Sequence, residues 1–283
     1  MENIEELKRQ AGEASLNWVA ANTVGIVNTL RTSGYDEATN RRGDGEEIGT
    51  GCPGRWGTHH FILTAGHVIK AEAQPTDMRI FWRSKSHIER RSDADLRAED
   101  IADGIPVSDP NARIHRCKWE DLAVIVMDPK FAGENTEFFD IANEWNDPAV
   151  GEFVTCHGFP IDRRVLVEER YIGNRRERTI AVRPEIFSGR VLPQPSEREL
   201  RFQITEYNPD LHYLVPYEHP DSKHPHGFSG AAAWWESDEK QLVWRPNFKF
   251  AGVCTCCYKK GSVEQIVKAS AARRFLEEVF GAA

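Results

Sequence analysis

No stretch of this chain approaches the roughly 18 consecutive apolar residues that suggest a membrane-spanning helix, so no membrane partner is expected. Basic charge is also short: 36 Lys and Arg stand against 44 Asp and Glu, a formal charge of −8. That balance argues against a general nucleic-acid binder, which depends on basic surface. Cysteine is sparse, and the six residues at 52, 117, 156, 254, 256 and 257 contain one C-x-x-C, Cys254 to Cys257, but no second one spaced from it as in a structural zinc site. Cys254-Thr255-Cys256-Cys257, with Cys156 and His157, could supply soft ligands, but without that spacing the expectation is no metal and no cofactor. The opening Met1-Glu2-Asn3-Ile4-Glu5-Glu6-Leu7 has acids where a secretory signal carries basic residues, and no apolar core follows. A cytoplasmic location with reduced thiols is the corresponding expectation.

What the chain does contain is a set of three short strings in a fixed order. They are Thr64-Ala65-Gly66-His67, Asp121-Leu122-Ala123-Val124 and His226-Gly227-Phe228-Ser229-Gly230-Ala231. Together they offer a nucleophilic hydroxyl, a base to take its proton and a carboxylate to orient that base, the parts needed for acyl transfer. Each has a plainer reading. GxSG by itself is a common turn, His67 competes with His59 and His60 as a core histidine, and Asp121 competes with Asp128 at the other end of one apolar run. His67 is preferred because Ala65-Gly66 lets a strand end turn sharply, and Asp121 because it precedes the run. The separations of 54 and then 108 residues require each group to come from a different part of the fold.

At these residues the chain resembles the chymotrypsin-like (trypsin-like) serine peptidases. Phe61-Ile62-Leu63-Thr64-Ala65-Gly66-His67 is similar to the family's strand into TA[AG]H, Asp121-Leu122-Ala123-Val124 to its D-[IL]-A-[LV] strand, and Gly227-Phe228-Ser229-Gly230 to its G-x-S-G. Val150 to Val154 leading into Gly158-Phe159-Pro160 resembles the start of the second barrel in HtrA-like members, although no PDZ-like module follows. Ser188-Gly189-Arg190-Val191 and Phe250-Ala251-Gly252-Val253 are similar to later strands. The resemblance implies an all-β protein of two six-stranded antiparallel β-barrels, with the His67 imidazole between Ser229 and Asp121 in the cleft. It also implies an oxyanion hole from the amides of Gly227 and Ser229. Phe228 replaces a common Asp that pairs with a newly cut N-terminus in proteolytically activated members, so that kind of activation is not expected. The disulfide that often flanks the catalytic His lacks its partner, since Val68 follows His67.

Organisation along the chain gives a helical lead over 1–22, a first barrel over 23–148 carrying His67 and Asp121, and a second over 149–262 carrying Ser229. Ser262-Val263-Glu264-Gln265 has the form of a capping box, and Val263, Ile266, Val267, Phe275, Leu276 and Val279 predict an amphipathic closing helix over 263–283. Arg83 to Asp100 holds ten charged residues in eighteen and reads as a solvated insertion. A loop over 162–183 carries seven arginines and four acids. Its Arg175-Arg176-Glu177-Arg178 run is a candidate docking site for a regulatory protein partner, against a solvated disordered loop.

The expected activity is serine endopeptidase action on protein or peptide substrates. By the resemblance, Thr255, Cys256 and Cys257 face the substrate, and the position that selects the substrate side chain, six residues before the serine, is Lys223. An inward Lys223 favours an acidic side chain and an outward one a small or apolar group, while Asp221 and Glu218 leave a basic preference open. Two other functions compete: an inactive pseudo-protease serving as a binding module, and an esterase using the same triad, although the G-x-S-x-G elbow and the chain order of α/β-hydrolases are absent.

Overall fold

The computed structural model describes residues 2–36, 41–69, 78–82, 105–106, 114–127, 138–160, 164–172, 175–182, 185–202, 204, 206–217, 227–236, 247–258 and 262–283. Helix α1 (Glu2–Ala21) begins in a run of acids that complement its positive end. It stops at Asn22 and Thr23, whose side chains donate to the carbonyls of Trp18 (3.0 Å) and Val19 (2.8 Å). Then come the strands β1 (Val24–Asp36), β2 (Arg41–Trp56), β3 (His59–Ala65), β4 (Met78–Trp82), β5 (Ile105–Pro106), β6 (Ile114–Arg116), β7 (Leu122–Met127) and β8 (Phe139–Asp140), of which β3 and β7 carry the most continuous apolar runs. They form one sheet in the order β5-β4-β1-β2-β3-β7-β6, with β8 added in parallel to β2. Setting aside the two-residue strands β5 and β8 leaves the six antiparallel strands expected of the first barrel.

The second half comprises β9 (Phe153–Gly158), β10 (Arg164–Ile172), β11 (Arg175–Val182), β12 (Glu185–Arg190), a short helix α2 (Glu197–Phe202), β13 (His212–Pro216), β14 (Ala232–Glu236), β15 (Phe248–Tyr258), β16 (Val263–Lys268) and helix α3 (Ala269–Phe280). Its sheet runs β12-β9-β14-β15-β16-β13, six strands, all antiparallel. The Leu192 amide donates to the Leu214 carbonyl at 2.8 Å, which brings the chain beyond β12 back to β13 and curls the sheet on itself.

Two expectations fail here. Residues 263–268 are a strand rather than the start of the closing helix, because Val263 to Val267 are all buried between β13 and β15 and such a segment needs both neighbours' ladders. Ser262 does not cap a helix; its φ of 47° places it in a turn entering β16. The capping box is instead at Ser196, whose Oγ and amide both bond the Glu199 carboxylate at the start of α2. Nor is 162–183 a loop: β10 and β11 form a separate two-stranded antiparallel ribbon, paired from Arg164↔Val182 to Ile172↔Arg175 with a register shift between Leu166 and Glu168. Arg83 to Asp100 lies outside the described residues.

The largest apolar cluster joins both sheets. Cys52, Phe61 and Leu63 of the first meet Trp234, Phe250 and Val267 of the second, and Phe275 and Leu276 of α3 close it. Trp18 of α1 enters the same cluster, stacked on Phe248 (4.8 Å between centroids) and edge-on to Trp234 and Phe139. The two terminal helices therefore brace the junction from which the cleft opens.

Candidate active site

His67 lies at the end of β3, in a tight 3₁₀ turn over Gly66–Val68. The turn is clamped to the segment preceding β7: the Gly66 amide donates to the Asp121 carbonyl (3.0 Å), and the His67 amide to Asp121 Oδ1 (2.8 Å). The imidazole Nδ1 lies 2.5 Å from Asp121 Oδ2. Because a carboxylate only accepts, Nδ1 carries the hydrogen, and in the neutral ring Nε2 is the nitrogen with the lone pair. A Cβ at position 66 would come within 2.8 Å of Asp121 Oδ1, so the glycine is what permits this approach. His59 and His60, the competing histidines, stack on Phe280 and meet Phe138 edge-on, away from this turn. Asp128 lies outside the described residues.

Ser229 sits in the turn before β14, and that turn is held from the other sheet. The Thr50 amide of β2 donates to the Ser229 carbonyl (2.9 Å), and Thr50 Oγ1 donates to the Gly227 carbonyl (2.5 Å) while accepting from the Phe159 amide (3.1 Å). Thr64 Oγ1 in turn donates to the Thr50 carbonyl (2.6 Å). Gly227 adopts φ 108°, and a Cβ there would lie 2.2 Å from the Phe159 carbonyl oxygen. Glycine is thus required by both conformation and space. Phe228 is buried edge-on against Phe187 and Tyr217, so an aromatic plug anchors this turn. The amides of Gly227 and Ser229 donate no backbone hydrogen bond among the described residues, and both are free for an acceptor.

His67, Asp121, Ser229, Thr255, Cys256 and Cys257 line one cleft of about 440 Å³. Lys223, with Asp221 and Glu218, lies outside the described residues. No hydrogen bond joins Ser229 Oγ to His67, so the imidazole rests on Asp121 and shares the cleft with the serine. Cys254 is not part of the lining; it is buried beside Cys156, and burial pushes its thiol well up.

Four further lining residues were not singled out from sequence: Glu120, Glu206, Glu264 and Gln265. Glu120 Oε1 accepts from the Asp121 amide (2.9 Å), and its Oε2 lies 2.7 Å from Nε2 of His212 on β13. The His212 Nδ1 accepts from the Asn208 amide (2.9 Å), which fixes the hydrogen on Nε2, facing Glu120. Burial alone would raise the Glu120 carboxyl, but the His212 and Asp121 bonds outweigh it and hold it below its ordinary value. Glu264 is the opposite case: burial raises it well above the ordinary carboxylate value, and a bond from the Cys257 side chain offsets this only in part.

Two curled six-stranded antiparallel sheets with short terminal helices match the chymotrypsin-like two-barrel fold, and His67, Asp121 and Ser229 all line the cleft. The solved structures agree at the level of fold. Scabies mite inactivated protease paralogue S-I1 matches with a TM-score of 0.55 at 13% identity, covering 96% of this chain and 99% of that one. The mite paralogue S-D1 matches with TM-score 0.53 at 12% identity, covering 93% and 94%. Human heparin binding protein gives 0.51 at 10%, covering 92% of each chain. No family model and no curated protein sequence matches.

Proposed function

We propose that the chain is a serine endopeptidase. The observation that carries this reading is that the Asp121-bonded His67 imidazole and Ser229 line one cleft, with the Gly227 and Ser229 amides of the serine turn donating no backbone hydrogen bond among the described residues. In the proposed cycle Ser229 Oγ attacks a peptide carbonyl as His67 Nε2 takes its proton, and the oxyanion is held by the Gly227 and Ser229 amides. His67 returns the proton to the leaving amine, the C–N bond breaks, and water repeats the sequence to release the acid from Ser229. Asp121 keeps the Nδ1–H tautomer and stabilises the imidazolium. The missing Ser229–His67 hydrogen bond fits an enzyme without substrate, where such bonds often tighten only on binding.

Treatment with a fluorophosphonate should phosphonylate Ser229, and Ser229→Ala should lower peptide turnover by about 10⁴-fold or more with the fold retained. Absence of labelling would favour the binding-module reading. Labelling with hydrolysis of esters but not of peptides would favour the esterase.

We further propose that a protein partner regulates this peptidase. The β10–β11 ribbon, which among the described residues pairs with neither barrel sheet and carries Arg175, Arg176 and Arg178, is the candidate docking element for an acidic protein partner.

A further inference from the structure

Glu264 lies in an otherwise mostly apolar strand, Val263-Glu264-Gln265-Ile266-Val267, and is 1% exposed. Among the described residues its Oε2 is buried without a hydrogen-bond partner, and so is Thr255 Oγ1 on the neighbouring strand. An orphaned buried polar atom costs stability and calls for a ligand or a mechanism. Both residues line the cleft that holds His67 and Ser229. Glu264 stands opposite Cys257 on β15, and the same strand reaches the serine turn where the Gly230 amide donates to the Cys254 carbonyl at 2.7 Å. The charge of the lining is one-sided: Glu120, Asp121, Glu206 and Glu264 contribute carboxylates, and no lysine or arginine is among its described residues.

We propose that Glu264 is the specificity-determining residue of the cleft, receiving the cationic side chain of a Lys or Arg residue whose carbonyl Ser229 attacks, with Thr255 Oγ1 accepting a second hydrogen bond from that group. The substrate role rests on the peptidase reading; the cation site itself does not. Burial disfavours the charged form of such an acid, and an entering ammonium or guanidinium supplies the countercharge that favours it. Lys223 turned inward would impose the reverse preference, for an acidic side chain, so the two assignments exclude each other by experiment.

The first arm needs no turnover. Benzamidine is titrated calorimetrically into Ser229→Ala protein, with benzyl alcohol as the neutral control. Benzamidine should bind, benzyl alcohol should not, and adding Glu264→Gln should weaken benzamidine by at least about tenfold, as expected when a charged partner is removed. Equal affinity in the two proteins, or no binding in the first, overturns the proposal. The second arm measures kcat/KM for peptides with Lys, Arg, Gln, Leu or Glu at the cleaved position. Lys and Arg should lead, and Glu264→Gln should cut them by about 30-fold to 1000-fold while leaving Gln and Leu within a few-fold. An equal fall for every peptide would mark Glu264 as merely structural and overturn the proposal. A wild-type preference for Glu would overturn it even if the variant failed to fold. Benzamidine binding that depends on Glu264, without peptide cleavage or fluorophosphonate labelling, would uphold the cation site and overturn the peptidase reading alone.

Discussion

Glu264 and Glu120 place opposite proton linkages on either side of one cleft. For Glu264 the folded-state carboxyl lies above its unfolded value of 4.5, so the folded state holds a proton the unfolded state has lost. Its penalty is absent at low pH and grows as pH rises through that unfolded value towards the folded one. For Glu120 the shift is downward, so its contribution is present above 4.5 and is lost as pH falls through the folded value. The melting temperature of Glu264→Gln relative to wild type should therefore rise as pH climbs above 4.5, by scanning calorimetry. A margin independent of pH would contradict the linkage. His67, Asp121 and Ser229 were readable because each sits in a short string whose neighbours are fixed by local geometry, as Gly66 illustrates. Glu120 and His212 were not, because a pair 92 residues apart leaves no local pattern. A carboxylate inside Val-Glu-Gln-Ile-Val was a visible signal for Glu264, once that run is taken as a strand with no polar face.

Among elements, β16 and the β10–β11 ribbon show where pattern reading fails. Val263, Ile266 and Val267 fit a helical stripe, and only the two flanking ladders decide for a strand, information carried by β13 and β15. The ribbon did carry a local sign: Gly173-Asn174 separates Ile172 from Arg175, a two-residue hairpin spacing obscured by the arginine count. α1 was fully legible, since its acidic start and Asn22-Thr23 stop are local chemistry. A two-stranded ribbon has little stability of its own, so a partner that engages it stands to change its order. With such an acidic partner present, replacing Arg175, Arg176 and Arg178 by Ala should abolish any rise in turnover and leave basal cleavage within about twofold, as for surface changes. Full activity of the purified wild-type chain on a good peptide would dispose of this role.

For the whole molecule, the union of the two sheets is the governing feature. Trp18, Phe275 and Leu276 fill the junction, while Arg273 over Trp145, Arg274 over Trp119 and the Trp56 indole on the Gly281 carbonyl tie α3 down. Thr50 crosses the same boundary with three hydrogen bonds, to Gly227, Ser229 and Phe159. Thr50→Val keeps the shape and removes the hydroxyl, leaving the Gly227 carbonyl and Phe159 amide unpaired. It should cost about 1–3 kcal/mol in denaturant unfolding. Turnover should fall through kcat more than KM, since the affected turn presents the proposed oxyanion donors; unchanged kcat would separate Thr50 from the site.

Thr50 also sets the order in which the protein comes apart. The turn bearing Ser229 belongs to one barrel, yet its backbone is pinned by a residue of the other. Slight parting of the barrels would separate Ser229 from His67 and Asp121 while every strand ladder stayed intact. In a slow denaturant ramp, competence to react with a fluorophosphonate would vanish ahead of the far-ultraviolet signal, making chemical reactivity an early gauge of interbarrel slippage.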